Sequence, residues 1–492
     1  MPTMRIALLS CLFITGCVST DAVLITPQGG QQAACLQFYQ DLDDAVFANE
    51  SEDTGEMRIP GFPYLRGNRF FASFAGASMS DSAYAQWLEQ MRQLDENARL
   101  TEFANLPQDA AAGITSRLPA GSSFRQRLNE CGLALVGSDS FKKPEYKTEL
   151  ADRVAVPDHY RTWQRVAGSY PLLRWFAGIA LDDLHSELNA PFQLPIEQIP
   201  VSGKPIRYAP PRTASMTRQE AADAFAKAYR NPLQIPLFET ELLDRLFAQF
   251  APVWEIDTRN ETDLIGTVTL DADGKPSIDT EKPTVYVKHS YTRFHGENLL
   301  QLIYQVWMPA REKTGTFDLY GGELDSVIWR VTLNSKGLPI AYDSIHACGC
   351  YYKLFPANGF IALPNADGTE AVLSPKRISV NPYETRLLLR LSNRTHYLQQ
   401  VTVADAANAA PYRFKPYDNL RSLPIGNNER RNLFGPEGII EVSRRAERFL
   451  LWPFGVASPG AMRQWGSHAI AFVGRRHFDD AFLLEQLIAQ EK

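Results

Sequence analysis

The stretch Ser326-Val327-Ile328-Trp329-Arg330-Val331-Thr332-Leu333-Asn334-Ser335-Lys336-Gly337-Leu338-Pro339-Ile340-Ala341-Tyr342-Asp343-Ser344-Ile345 decides the fold of the second half of this chain. Two segments with apolar side chains at a period near two flank Asn334-Ser335-Lys336-Gly337. That turn sequence ends in the residue that tolerates a positive φ, so the stretch reads as a β-hairpin. The same period runs through Ile265 to Leu270, Thr284 to Tyr291 and Leu299 to Trp307, and Asp271-Ala272-Asp273-Gly274 supplies a further turn. Later strands are expected at 386–392 and 396–403. Five or more strands joined in order predict an antiparallel meander, curved into a barrel or packed as a sandwich, and the tail from 478 to 490 reads as a helix.

Upstream of Pro252 the period lengthens to three and four. Phe38, Leu42 and Ala45-Val46 mark one amphipathic helix, and Tyr84, Trp87-Leu88, Met91 and Leu94 mark another. Thr217-Arg218-Gln219-Glu220 has the capping-box spacing and precedes a helix from Ala221 to Tyr229, while Leu242-Leu243, Leu246-Phe247 and Phe250 make a helical stripe over Glu239 to Phe250. Between them Pro191, Pro195, Pro200, Pro205, Pro210 and Pro211 exclude an unbroken helix, so roughly 189–214 is expected to be an extended linker or a surface-wrapping loop. The fold class is α+β: an N-terminal helical region, an antiparallel β meander and a C-terminal helix.

The amino terminus carries an address. Arg5 leads into Ile6-Ala7-Leu8-Leu9 and on through Leu12, Phe13 and Ile14, ending Ile14-Thr15-Gly16-Cys17. The charge order and the short apolar run are those of a secretory signal, too short to remain as a span. Its ending resembles the lipobox of bacterial lipoproteins. That resemblance implies cleavage before Cys17, a diacylglycerol thioether on its sulfur and an acylated new terminus. Val18-Ser19-Thr20 in place of an aspartate implies an outer-membrane protein facing the periplasm rather than inner-membrane retention. The chain then divides into a signal peptide (1–16), a lipidated tether (17–33), a mainly helical domain (34–250) and a β-rich domain with a C-terminal helix (251–492). Segments such as 324–333 and 343–351 look like those of bacterial envelope proteins, a likeness that implies no activity.

Composition sets limits. A length of 492 residues has room for two or three domains at roughly 100–200 residues each. Beyond the amino terminus no eighteen uninterrupted apolar residues occur; the best candidate, Tyr170 to Ile179, contains Pro171 and Arg174 and reads as a buried or surface helix. A net charge of −6 without a run of Lys and Arg leaves nucleic acid unexpected as a partner. Cys11 departs with the signal and Cys17 takes lipid. In an oxidising envelope Cys35 and Cys131 are then a plausible disulfide, or two separate buried thiols.

The most unusual local sequence is His346-Ala347-Cys348-Gly349-Cys350. If the strand from Leu338 continues, His346, Cys348 and Cys350 project from one face, and an imidazole with two thiolates suits Zn²⁺ or copper. His289 or His295 would supply a fourth ligand. Those two are six residues apart, about 20 Å along a straight strand, so either the strand ends before His295 or only one of them joins a site. Glu297 beside Gly296 would serve as general base to a metal-bound water. Against this, Cys-Gly-Cys lacks the two-residue gap of zinc knuckles; the same thiols would serve equally as a disulfide, as exchange partners or as buried side chains. Tyr320-Gly321-Gly322-Glu323-Leu324-Asp325 reads as a strand connection with solvated acids rather than a calcium loop. Serine-hydrolase elbows, His-Glu-X-X-His, phosphate loops and dinucleotide fingerprints are missing from the sequence. Two classes of function follow: a lipid-anchored, non-catalytic envelope protein that binds a protein, glycan or lipid, or a zinc-dependent periplasmic hydrolase built on the His/Cys cluster.

Overall fold

The structure, a computed structural model, describes residues 29–491 apart from 139–142, 212–214, 366–367, 404–407 and 427–428. The signal, Cys17 and most of the tether lie outside the described residues. It is a mixed α+β chain, helices first and strands after, with several sheets. Among the described residues none of these sheets closes into a barrel.

The hairpin that decided the reading is formed. Gly322–Leu333 pairs antiparallel with Pro339–His346. In the turn, Asn334 N donates to Leu338 O at 2.8 Å, and Asn334 Oδ1 accepts from the N–H groups of Lys336 and Leu338. Gly337 has φ +73 with the Tyr383 hydroxyl 3.0 Å from where a Cβ would stand, so no other residue fits that corner easily. The meander continues on both sides through Glu297–Arg311 and Thr284–Phe294 in one direction and Lys353–Pro356 in the other. Arg413–Pro416 adds a sixth strand, parallel to Thr284–Phe294.

Alternation on these strands serves two cores rather than one. Val327, Trp329, Val331 and Leu333 point to a core shared with Trp254, Ile256, Leu389 and Val401 of a second, five-stranded sheet. Ile328 on the other face packs with Ile303, Trp307, Phe478 and Leu484. Each such side chain taken fully from water contributes about 1.5–3 kcal/mol, which pins the register, because a one-residue slip would exchange the two cores.

Three expectations change. The proline-rich segment is not a free linker: Ala190–Gln193 and Ile196–Gln198 are short 3₁₀ turns, and Lys204–Ala209 is a strand paired antiparallel with Val253–Thr258 in the five-stranded sheet. The boundary near 250 is therefore crossed by sheet hydrogen bonds. The C-terminal helix is only Leu483–Leu487, and Ile488–Gln490 becomes a strand against Phe360–Ala362. The second sheet is also mixed, because Leu387–Leu391 runs parallel to Val253–Thr258.

The helices stand where the spacing put them, at Gly30–Ala48, Asp81–Asn105, Arg218–Ala228 and Thr240–Phe250. The capping box at Thr217 is complete, with Glu220 Oε2 accepting from Thr217 N at 2.7 Å and Thr217 Oγ1 accepting from Glu220 N at 3.2 Å. Cys35 and Cys131 form a buried disulfide with Cα atoms 5.1 Å apart, tying Gly30–Ala48 to Phe124–Val136. The helical part is bound to the remainder by buried polar contacts: Asp53 pairs with Arg421, and Asn105 Nδ2 donates to Arg421 O at 2.9 Å.

Candidate functional site

The five residues expected to hold a metal are not brought together. The strand ends at His346, where the chain turns: Gly349 N donates to His346 O at 2.8 Å and His346 N to Cys350 O at 3.0 Å. Alternation stops there, so Cys348 and Cys350 do not continue the face of His346. Gly349 forces the turn, with φ +88 and Ala469 O only 2.4 Å from a hypothetical Cβ. Across the sheet His346 lies opposite Val327, Val327 opposite Val306 and Val306 opposite Val285. His289 is four residues further along, about 13 Å by strand rise, and three strands away, about 14 Å more across the sheet. His295 and Glu297 flank the far turn at Gly296. His295 N donates to Glu485 Oε1 at 2.6 Å, and the exposed Glu297 accepts from Ser335 Oγ at 3.2 Å. Among the described residues no three His, Cys, Asp or Glu side chains are grouped to hold a metal ion.

His346 belongs instead to a buried chain of ionisable groups. His396 Nδ1 lies 2.7 Å from Asp325 Oδ2 and His396 Nε2 lies 3.2 Å from Asp263 Oδ1; His346 Nδ1 is 3.5 Å from Asp325 Oδ1. Asp325, read from the sequence as a solvated turn acid, is 1% exposed. Burial pushes its carboxyl up, yet the two histidines outweigh that and hold it well below the usual range. Burial likewise opposes the charge on His396, and the hydrogen bonds it donates to Asp263 and Asp325 overcome it, so its pKa rises. Burial dominates at His346 and pushes its pKa down. His396 between Asp263 and Asp325 is a buried ion chain, each of the three residues 1% exposed or less.

Cys348 and Cys350 have a different setting. Both are free thiols, and a hydrogen bond between them, together with desolvation, raises the Cys350 thiol well above its ordinary pKa. The two line a cavity of about 480 Å³ whose other wall is the helix Tyr170–Asn189. Leu173, Phe176, Ala177, Leu181 and Leu184 form the helical side; Tyr351, Tyr352, Phe454, Ala469 and Phe472 face them from the β side.

Few polar groups enter this chamber. Glu370 Oε2 accepts from Phe472 N at 2.6 Å and Val473 N at 3.3 Å, and burial nevertheless pushes its carboxyl up to about 7. Glu447 is likewise pushed up to about 7 by burial, against the pull of Arg311 and Arg445. Arg476 Nη2 donates to Glu370 O at 3.1 Å. An apolar cavity with a few convergent polar groups, within the roughly 300–1,000 Å³ of small-molecule sites, is the form of a ligand pocket.

A polar cleft of about 520 Å³ also opens between the helical part and the C-terminal segments, lined by Glu56, His159 and Asp479 among others. Burial raises Glu56 to about 7 and Asp479 to about 6. Asp479 is held by Arg69 at 3.2 Å and Asp53 by Arg421, whereas Glu56 Oε2 is buried without a hydrogen-bond partner.

The chamber was missed in the sequence because its walls come from residues far apart in the chain. One signal was present. From Tyr170 to Leu181 apolar residues occupy every side of the helix rather than one stripe, so a single buried face cannot accommodate them. Compared with protein-family models, with curated proteins and with solved structures, the chain finds no match.

Proposed function

We propose that the chain is a lipid-anchored protein of the bacterial cell envelope, outer membrane facing the periplasm, whose role is to bind an apolar ligand of the size of an acyl chain rather than to catalyse a reaction. The observation that carries this reading is the apolar chamber beneath Tyr170–Asn189, with Glu370, Glu447, His185 and Arg476 as the titratable acids and bases among its mainly apolar lining. Eight methylenes of an acyl chain placed there would gain roughly 6 kcal/mol of transfer free energy before the cost of ordering them. A carboxyl or ester head would meet Arg476 and two carboxyls that are partly protonated at neutral pH. The lipobox-like ending at Cys17 supports the anchor, and the buried Cys35–Cys131 disulfide supports an oxidising compartment. Among the described residues no helix is long and apolar enough to cross a membrane, so the reading places attachment on the lipid.

Titrating the purified full chain with a fluorescent polyene fatty acid is expected to give saturable binding that palmitate competes away. Ala177→Trp, which puts an indole into the cavity, should weaken that binding by about tenfold or more, a loss of roughly 1.4 kcal/mol or more. Unsaturable binding, or a variant that binds like the parent, would refute the chamber as a lipid site. The anchor is tested separately: Cys17→Ser should abolish incorporation of a clickable fatty acid in cells, and undiminished labelling would show that Cys17 is not the lipidated residue.

A further inference from the structure

The polar cleft between the helical part and the C-terminal segments continues past its lobe of about 520 Å³. A second hollow of about 260 Å³ adjoins it, and Glu56, Asn68, Trp465 and Asp479 line both. Gly466, with φ +93, leaves the junction open: a Cβ there would stand 3.2 Å from Gly55 O and 3.9 Å from Asp479 Oδ2. Gln90, Gln93 and Asn97 of the helix Asp81–Asn105 line the second lobe together with Lys288 to Tyr291 of the strand Thr284–Phe294. Apolar surface is present in both, from Phe47 and Trp465 in the first and from Phe70, Phe71 and Tyr291 in the second.

Every base in this lining already has an acid. Arg69 pairs with Asp479 at 3.2 Å, Lys288 with Asp418 at 3.4 Å and Arg161 with Glu437 at 2.6 Å. Arg58 pairs with Asp43 and, at 2.8 Å, with Glu102; Arg421 pairs with Asp53 and, at 3.1 Å, with Asp418. Asp158 is held by Arg475 from outside the lining. Enclosure in the cleft pushes both His159 and His289 down to about 4, so neither adds charge at neutral pH. Among the described residues Glu52 and Glu56 are the lining acids left without a base. Glu56 is the sharper case: it is 9% exposed and its Oε2 has no hydrogen-bond partner. Burial pushes its carboxyl up to about 7 against the pull of Lys288 and Arg421, with Asp53 and Asp418 adding to the push. A buried carboxyl without a partner is costly, and a cation bringing N–H donors would remove that cost and favour the charged form. An anion would find no unpaired base here, and a metal ion would find too few ligands grouped together among the described residues. The cation that fits is organic, with methylenes for the aromatic walls.

We propose that this two-lobed cleft binds an aliphatic polyamine, a slender chain of methylenes with ammonium groups, placing one ammonium on Glu56 and a second on Glu52. The site is separate from the apolar chamber, and the inference stands whether or not the chamber holds an acyl chain.

The test is calorimetric titration of the full chain with 1,8-diaminooctane, whose amines stay charged through pH 8. One molecule is expected to bind per chain, and 1,8-octanediol, of the same length without charge, should not compete. A carboxyl titrating at about 7 is ionised to about a tenth at pH 6 and about nine-tenths at pH 8, so affinity should strengthen about tenfold over that interval. Binding at pH 7 should also release protons, read as a difference in heat between phosphate and Tris buffers. Asp479, pushed up to about 6 by burial, acts in the same sense and adds about twofold at most. Glu56→Gln, which keeps the shape of the neutral acid, should weaken binding at pH 8 by about tenfold or more and leave no more pH dependence than Asp479 supplies. Glu52→Gln should weaken it by about threefold. Saturating diamine should leave the binding of the polyene fatty acid unchanged. The proposal is overturned by many weak sites in place of one, by competition from the diol, or by either variant binding like the parent. An affinity that is flat or falls from pH 6 to pH 8 overturns it as well, and that measurement needs no variant.

Discussion

Replacing Cys35 and Cys131 together with serine lowers the stability of the N-terminal helical part by about 4–5 kcal/mol. The bond joins residues 96 apart in sequence. On the chain-entropy account, closing a loop of about 100 residues removes close to 4.7 kcal/mol of conformational freedom from the unfolded chain at 25 °C. Both cysteines are fully buried, and Gly132 next to Cys131 leaves room for the stem of Arg92 and the Tyr39 hydroxyl, so the helices Gly30–Ala48 and Phe124–Val136 are already packed around the bond. Two serine hydroxyls left there would add the cost of unsatisfied buried groups. Urea unfolding followed by circular dichroism on the oxidised parent and the double variant measures the difference. A difference below about 1 kcal/mol would mean that the unfolded chain keeps these helices together without the bond.

Asp325→Asn should cost about 3–5 kcal/mol, because it strips a carboxylate from an imidazolium that has no access to water. His396 is wholly buried between Asp263 and Asp325. With its folded pKa raised above 6.5, its contribution is fully present below that value and is lost as pH rises through the folded pKa. Asp325, with a folded pKa depressed below 3.8, contributes above that value and loses its contribution as pH falls through the depressed one. Both terms act together between about pH 5 and 6. The gap between parent and Asp325→Asn in denaturant midpoint should therefore be widest there and shrink towards pH 9. A gap that is small and flat across this range would show that His396 is not charged in the folded protein.

The two cysteine pairs separate what spacing can disclose from what it cannot. Cys35 sits on the inward stripe of an amphipathic helix with Tyr39, Leu42 and Val46, and burial on that stripe follows from a period of three and four. That its partner is Cys131 depends on how two helices pack, which sequence spacing does not encode. For Cys348 and Cys350, a period of two placed them with His346, and the inference failed at Gly349. The strand ends at His346, and in the turn that follows Gly349 takes φ +88 with Ala469 O, more than a hundred residues later, where a Cβ would stand. Asp325 was misjudged for a similar reason. Glycines beside an acid look like an open turn, whereas His396 arrives from the connection between Leu387–Leu391 and Leu398–Val403 and removes that acid from water.

The hairpin at Asn334–Gly337, the strands of the meander, the long helices and their caps were set by local chemistry: side-chain alternation, a glycine at positive φ, a threonine three residues before a glutamate. These depend on neighbours within one or two turns of chain and are legible without the fold. Tertiary structure alone decided that a proline-rich stretch would become a strand of the five-stranded sheet, that His289 and His346 would lie three strands apart in the other, and that two thiols would line an apolar chamber. Each of these results from packing between distant segments. The apolar residues from Tyr170 to Ile179 belong to both accounts: sequence read them as a buried or surface helix rather than a span, and the fold showed that Leu173, Phe176 and Ala177 line the chamber while Leu172, Trp175 and Ile179 are exposed outside it.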